Sequence, residues 1–169
     1  ASNLFHHRER GFIREGQLNY LSLLGWSLTH DRDVFTMDEM VAAFDIVDVN
    51  PNPARFDLAK AESINGDHVR MLDLDDFVER SIPYCADAGL FHEVPRPAER
   101  ELLIAAAPLV QERVGLLGEV PGMVAFLFTA DDALEIEPDA AASLKDDAAA
   151  VLDAGVAALE PLDDFTTAA

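Results

Sequence analysis

Cysteine occurs once in the 169 residues, at Cys85. No disulfide can form within the chain, which fits a reducing cytoplasm. The ordinary role of such a cysteine is a small core residue. Basic residues are scarce, with 12 Lys and Arg against 32 Asp and Glu and a net charge of −20. A field of that sign repels nucleic acid at long range and confines any RNA contact to a local patch. Alternating β-branched runs are missing, which argues against an extended sheet. No run approaches the roughly 18 apolar residues of a membrane helix, so no membrane partner is expected. The opening ASNLFHHRERGF lacks the apolar centre of a signal peptide. It also begins without methionine, which reads as a processed product or a fragment of a longer chain. Glycine-rich phosphate loops, a Walker lysine and a G-x-S-x-G elbow are absent. The residues alone therefore point to no catalytic site.

What is present is helical. Half the residues are hydrophobic, alanine and leucine dominate, and a sizeable core is within reach. The pattern predicts an all-α fold of seven or eight helices, with no sheet beyond two short strands. A first helix runs Leu4 to Arg10 and stops at Gly11. A second covers Glu15 to Leu24, with Leu18, Leu21 and Leu24 as its inward stripe and Gly25 as a left-handed C-terminal stop. FTMDEM carries a capping box, Thr36 with Glu39, flanked by Phe35 and Met40. Met37, Met40, Val41 and Phe44 form the face of that third helix. Pro51 and Pro53 keep VNPNPARF non-helical. Asp57 caps a fourth helix striped by Leu58, Ala61 and Ile64. Asn65-Gly66, a strong turn dipeptide, is expected to end it before a short turn carrying His68 and Arg70. Asp73 caps a fifth, with Leu72 and Phe77 as its staple, running through Pro83 to Gly89. The predicted core of this half is Leu21, Leu24, Trp26, Phe35, Met40, Phe44, Phe56 and Ile64.

HEVPRPAE reads as a linker, and a subdomain boundary is expected near residues 92–97. A long helix from Ala98 to Leu117 follows, kinked at Pro108 and stopped at Gly118. Pro121 opens a short helix over Met123 to Phe128. The tail from Asp139 to Leu159 is alanine-rich, with Leu144, Val151, Val156 and Leu159 as candidate core contacts.

Charge is unevenly spread. Residues 1–30 carry Arg8, Arg10 and Arg14 against Glu9 and Glu15, and three of the five histidines. Residues 101–169 carry only Arg113 and Lys145 against fourteen acids. Adjacent histidines on a helix diverge by about 100°, so His6 and His7 are poorly placed to share a metal, and no metal site is expected. HHRERGFIR is instead either a solvated helix or a phosphate-facing patch.

The order of segments is more specific than any one of them. SNLFHHRERGFIREGQLNYLSLLGWS, then FTMDEMVAAFD, then NPARFDLAKAESINGDHVR closely resembles bacterial glutamyl-tRNA synthetase. The match covers residues 2–80 and weakens towards residue 128. Asn19 to Trp26 matches its N-Y-L-x-L-L-G-W segment. Pro53 to Arg70 matches its P-x-R/V-F-D-x-x-K-L-x-W-x-N-G-x-x-I-R segment, with Ala61 and Ser63 in place of bulkier apolar residues. The tail is unusually acidic.

The resemblance implies a tRNA-contacting piece of glutamate–tRNA ligase, a class I aminoacyl-tRNA synthetase that is cytoplasmic and monomeric. It implies a stem-contact region over residues 1–92 and an incomplete helical anticodon-binding subdomain over residues 93–169. The family's H-I-G-H and K-M-S-K-R motifs, which bind ATP with magnesium, are not in this chain. The piece alone is expected to bind no cofactor and to make no glutamyl-adenylate. Its expected tRNA contacts are Arg8, Arg10, Arg14, Gln111 and Arg113, and its structural joint is Asn65, Gly66 and Arg70, with positive φ at Gly66. The partner is the glutamate tRNA. A permissive reading by Gln111 would admit the glutamine tRNA as well. The competing reading, favoured by the charge of −20, is an acidic helical module that binds protein and no RNA.

Overall fold

A computed structural model describes residues 4–51, 55–136, 138–145 and 147–161. Pro53 lies outside them. Among the described residues there are nine α-helices, several short 3-10 turns and no strand beyond one isolated bridge, Thr29 to Arg32. The helices are α1 (Leu4–Arg10), α2 (Arg14–Ser22), α3 (Met37–Ala43), α4 (Leu58–Arg70), α5 (Leu74–Asp87), α6 (Pro97–Val110), α7 (Val120–Val124), α8 (Pro138–Ser143) and α9 (Ala148–Leu159). The chain divides into two compact units, Ala1–Ala130 and Asp131–Ala169.

The local capping signals act at the expected positions. Thr36 accepts from the Glu39 amide at 3.2 Å, and Glu39 accepts from the Thr36 amide at 2.8 Å. Hydrogen bonds from Arg32, then from Thr36, hold the Glu39 carboxyl down to about 2. Asp57 accepts from the Lys60 amide at 3.1 Å and starts α4. Asp73 has the extended N-cap backbone but makes no side-chain cap. Gly11 and Gly89 carry positive φ, at 101° and 77°, and follow α1 and α5.

Several boundaries differ from expectation. α2 ends at Ser22, and the chain leaves it through turns in which the amides of Gly25 and Trp26 both reach the Ser22 carbonyl. Gly25 is therefore not left-handed. α4 does not stop at Asn65-Gly66 but continues to Arg70, with neither residue at positive φ. Tertiary bonds to Asn65 override the turn propensity of the dipeptide. α6 ends at Val110, two residues past Pro108, and passes into a 3-10 turn at Gln111–Arg113. Gly118 is consequently no helix stop. It lies in the 3-10 turn Leu117–Glu119, where a Cβ would sit 2.5 Å from the Arg10 carbonyl oxygen.

The larger core joins Ile13 and Val69 to Phe77, Val78 and Cys85 of α5, Leu103 and Ala107 of α6, and Val120 and Val124 of α7. It crosses residue 92 without a break. A second cluster holds Phe12, Tyr20, Ala61, Ile64 and Leu116. Burial pushes the Cys85 thiol up to about 11, so it is a packed thiol. Of the expected core, Trp26, Phe35 and Ile64 are buried, Leu24 and Met40 are half-buried, and Leu21, Phe44 and Phe56 are exposed. No residue of α3 is buried.

The face of α2 explains Leu21. Gly16, Gln17, Asn19 and Tyr20 point inward and Leu21 is 41% exposed. These four share a stripe by helical spacing, and it is the polar one. Asn19 donates to the Asp33 carbonyl at 2.8 Å. Its Oδ1 accepts from the Phe35 amide at 3.1 Å and from His68 Nε2 at 2.8 Å. Burial lowers the His68 pKa despite Glu15 and Asp67 nearby, so the ring stays neutral at pH 7. Asn65 accepts from the Ile13 amide at 2.8 Å and donates to the Gly115 carbonyl at 2.7 Å.

In the second unit, α8 and α9 are separated by residues 144–147. Leu144, Val151, Val156 and Leu159 are all exposed.

α2 and α4 touch at Gly16, where an added Cβ would lie 2.7 Å from Asn65 Cα. Gly122 of α7 has nothing within 4 Å. Gly16→Ala is expected to cost about 1–3 kcal/mol through forced overlap. Gly122→Ala should be neutral or stabilising by up to about 1 kcal/mol. Urea titration of both variants checks this; equal effects would contradict the close approach at Gly16.

A candidate nucleic-acid interface

The basic N-terminal segment folds into α1, a left-handed corner at Gly11, and α2. α5 holds this corner at two points. Arg80 donates to Glu15 at 2.9 and 3.3 Å and to Asp76 at 2.8 Å, tying α2 to α5. Tyr84 donates its hydroxyl to the Arg8 carbonyl at 2.8 Å, tying α1 to α5. Burial, the largest single influence, raises the Glu15 pKa, but the Arg80 hydrogen bonds, the backbone amide and the charges of Arg80 and Arg14 together leave the carboxyl lowered. The same bonds, first to Asp76 and then to Glu15, raise Arg80. Arg80 is thus committed to structure, through Glu15 and Asp76.

Arg8 and Arg14 are exposed. Both line a cleft of about 630 Å³ with Phe5, Glu9, Arg80, Pro83, Tyr84 and Asp87. Arg14 reaches Glu15 only at 3.5 Å. Arg10 behaves differently. It is half-buried, pairs with Glu62 of α4, and lies 5.8 Å from the Phe12 ring centroid. Of the three arginines, two face solvent and one fastens α1 to α4.

A second pocket, of about 260 Å³, shares Arg8, Phe12, Ile13 and Arg14 with this cleft. Leu4, His7, Phe12, Gln17, Leu18 and Leu21 line it together with Arg8 and Arg14. Leu18 and Leu21, expected to face the core, are walls of this pocket.

Gln111 is 6% exposed. Its amide donates to the Val69 carbonyl at 2.9 Å and to the Leu72 carbonyl at 2.8 Å, at the end of α4. Both amide hydrogens are engaged within the fold, at the end of α4. Arg113 is exposed and borders an apolar groove with Leu102, Leu109, Met123 and Phe126. Glu119 accepts from the Gly115 and Leu116 amides. Arg70 pairs with Asp67 one turn earlier on α4 at 2.7 Å. Gly66 approaches Gly115, where a Cβ would meet its Cα at 3.2 Å.

Sequence reasoning missed Arg80 and Tyr84. The one available signal is Asp76 at i+4 spacing from Arg80 on an amphipathic helix. Among the described residues no group of three or more His, Cys, Asp or Glu is arranged to hold a metal ion. No helix among them is long and apolar enough to cross a membrane.

A family model described as an anticodon binding domain matches residues 76–169. The chain is 62% identical over 168 residues to the glutamate–tRNA ligase of Kocuria rhizophila, covering 99% of this chain and 33% of that protein. It is 64% identical over 159 residues to the glutamate–tRNA ligase of Leifsonia xyli subsp. xyli, covering 94% of this chain and 32% of that protein. The chain thus spans about a third of the length of these relatives. In structure it resembles a glutamate tRNA ligase from Elizabethkingia meningosepticum, crystallised in complex with its amino acid. The TM-score is 0.72 at 23% identity, over 93% of this chain and 30% of that one. That likeness supports the all-helical fold.

Gln111→Leu removes both donors; the Val69 carbonyl keeps the Leu72 amide at 3.2 Å, and the Leu72 carbonyl loses its bond from Gln111. The change is expected to cost about 1–3 kcal/mol. Urea unfolding measures it; destabilisation under about 0.5 kcal/mol would show that Gln111 carries no such load.

Proposed function

The chain belongs to the anticodon binding domain family, and from that premise we propose that it is the tRNA-contacting part of a glutamate–tRNA ligase. The parent enzyme would attach glutamate to its tRNA using ATP. The observation that carries this reading is identity above 60% to two glutamate–tRNA ligases across nearly the whole chain. ATP and magnesium, in this reading, are held by other parts of the parent, because the nucleotide-binding motifs of the family lie outside these residues. The parent is a cytoplasmic monomer in the same reading.

Binding rests on the α1–α2 corner. Arg8 and Arg14 present guanidinium groups to solvent, and such groups take phosphate oxygens in paired, charge-assisted hydrogen bonds. The chain as a whole is strongly acidic, with a net charge of −20. It repels the RNA backbone and so limits productive approach to this corner. Arg113, exposed beside the groove of α6 and α7, is a second contact on the anticodon side. Arg10 contributes indirectly, through its pair with Glu62. The division near residue 92, between stem contact and anticodon binding, is functional in this reading, since the core runs across it. The partner is the glutamate tRNA. Acceptance of glutamine tRNA through Gln111 has no support, because that amide is turned inward. A protein-binding module without RNA contact is disfavoured by the family match.

Arg8→Glu with Arg14→Glu in the full-length ligase tests the reading. The tRNA affinity should fall, and the slope of log affinity against log salt should shrink by roughly 0.7–0.9 for each phosphate no longer neutralised. An unchanged slope would place the RNA elsewhere.

A further inference from the structure

Glu15 follows Arg14 in the first turn of α2. A carboxylate there suits the positive end of the helix dipole. It is also a hazard to anion binding, because its neighbour is a guanidinium that faces solvent. The side chain of Arg14 is 78% exposed and that of Glu15 is 21% exposed. A phosphate that approached Arg14 would compete with this carboxylate for the same N–H donors.

Arg80 of α5 settles that competition. Its Nη1 donates to Glu15 Oε2 at 2.9 Å and its Nη2 to Glu15 Oε1 at 3.3 Å. Arg14 Nη2 meets the same Oε1 only at 3.5 Å, beyond the usual length of an N–H···O bond. Burial, the largest influence on the Glu15 carboxyl, raises its pKa; of the influences that lower it, the Arg80 bond leads and the charge of Arg14 comes last. Arg80 is itself fixed by Asp76, one turn earlier on α5, through Nε at 2.8 Å and Nη2 at 2.7 Å. A planar guanidinium serves two carboxylates at once, which the point charge of a lysine does not. Arg80 lines the same cleft as Arg8 and Arg14. With Nε, Nη1 and Nη2 all engaged, its part there is to withhold an acid.

We propose that Arg80 is a positioning residue for tRNA binding: by taking both oxygens of Glu15 it keeps that carboxylate off Arg14, whose guanidinium is then left for an RNA phosphate. Arg80 acts through Glu15 and touches no RNA. The proposal rests on the reading of the α1–α2 corner as a tRNA-contacting surface, and it adds the residue that keeps Arg14 available there.

The affinity of the full-length ligase for glutamate tRNA, measured across a salt series, tests it. Arg80→Met should free Glu15 to pair with Arg14. Affinity should then fall by about two- to fivefold, the scale of one exposed ion pair that a phosphate must displace. The slope of log affinity against log salt should shrink by up to roughly 0.7–0.9, the share of one phosphate. Arg80→Gln, a second variant that keeps a neutral donor where methionine impairs folding, should act in the same direction. Adding Glu15→Gln to either variant should restore both affinity and slope, since no carboxylate is left to engage Arg14. Glu9 is an exposed acid of the same cleft. Adding Glu9→Gln gives the same net charge and should restore neither. If Arg80 were only a brace, Glu15→Gln would not rescue, because the double variant still lacks the tie between α2 and α5. Four results would each overturn the proposal: variants that lose melting temperature alone, an unchanged slope in both, no rescue by Glu15→Gln, or equal rescue by Glu9→Gln. Failure of the premise would look different: charge reversal of Arg8 and Arg14 would itself leave the salt slope unchanged.

Discussion

The side chain of Asn65 fixes the geometry on which the rest depends. It sits in the middle of α4, accepts from the Ile13 amide and donates to the Gly115 carbonyl. Those two backbone groups belong to the corner before α2 and to the loop after α6. One amide therefore joins three segments that are far apart in sequence. The Ile13 amide is buried away from water, so the cost of leaving it unpaired holds the Asn65 amide in place. Gly16 and Gly66 flank it because backbone must approach there without a Cβ between. Arg80 and Tyr84 of α5 reach the same α1–α2 corner, at Glu15 and at the Arg8 carbonyl.

The result is a division of labour among like residues. Arg10 and Arg80 are bound by carboxylates and hold helices together. Arg8 and Arg14, on the same corner, are left on the surface. A chain of net charge −20 thus keeps a small cationic face. Such a face gains contrast from its acidic surroundings, which weaken binding everywhere else.

The helical class, the caps at Thr36 and Asp57, and the stops at Gly11 and Gly89 are legible in the sequence. Each is set by residues within four or five positions of one another. The resemblance to glutamyl-tRNA synthetase is legible for a different reason, through the order of three segments. What the sequence hides depends on partners far along the chain. Asn65-Gly66 has the composition of a helix breaker, but the partners that keep Asn65 helical lie about 50 residues away. The leucines of α2 are expected inward because periodicity marks an apolar face without saying which face is buried. The polar face wins because Asn19, His68 and the Phe35 amide satisfy one another. Gln111 suits RNA by its chemistry, and nothing local shows that the end of α4, some 40 residues earlier, takes both of its amide hydrogens. Exposed Arg8 and Arg14 need no long-range partner, and they stay where the charge distribution puts them.

The central claim is that the α1–α2 corner is the RNA-facing side of this chain and that Asn65 and Gln111 are internal supports. A structure of the full-length ligase bound to its tRNA tests it most directly, through the distances from the Arg8 and Arg14 guanidinium groups to the nearest phosphate oxygens. The account predicts hydrogen-bond contact at both arginines, with Gln111 still bonded to the Val69 and Leu72 carbonyls. A tRNA that passes the opposite side of the helices, leaving the corner in solvent, or a Gln111 turned out against a base, would contradict it.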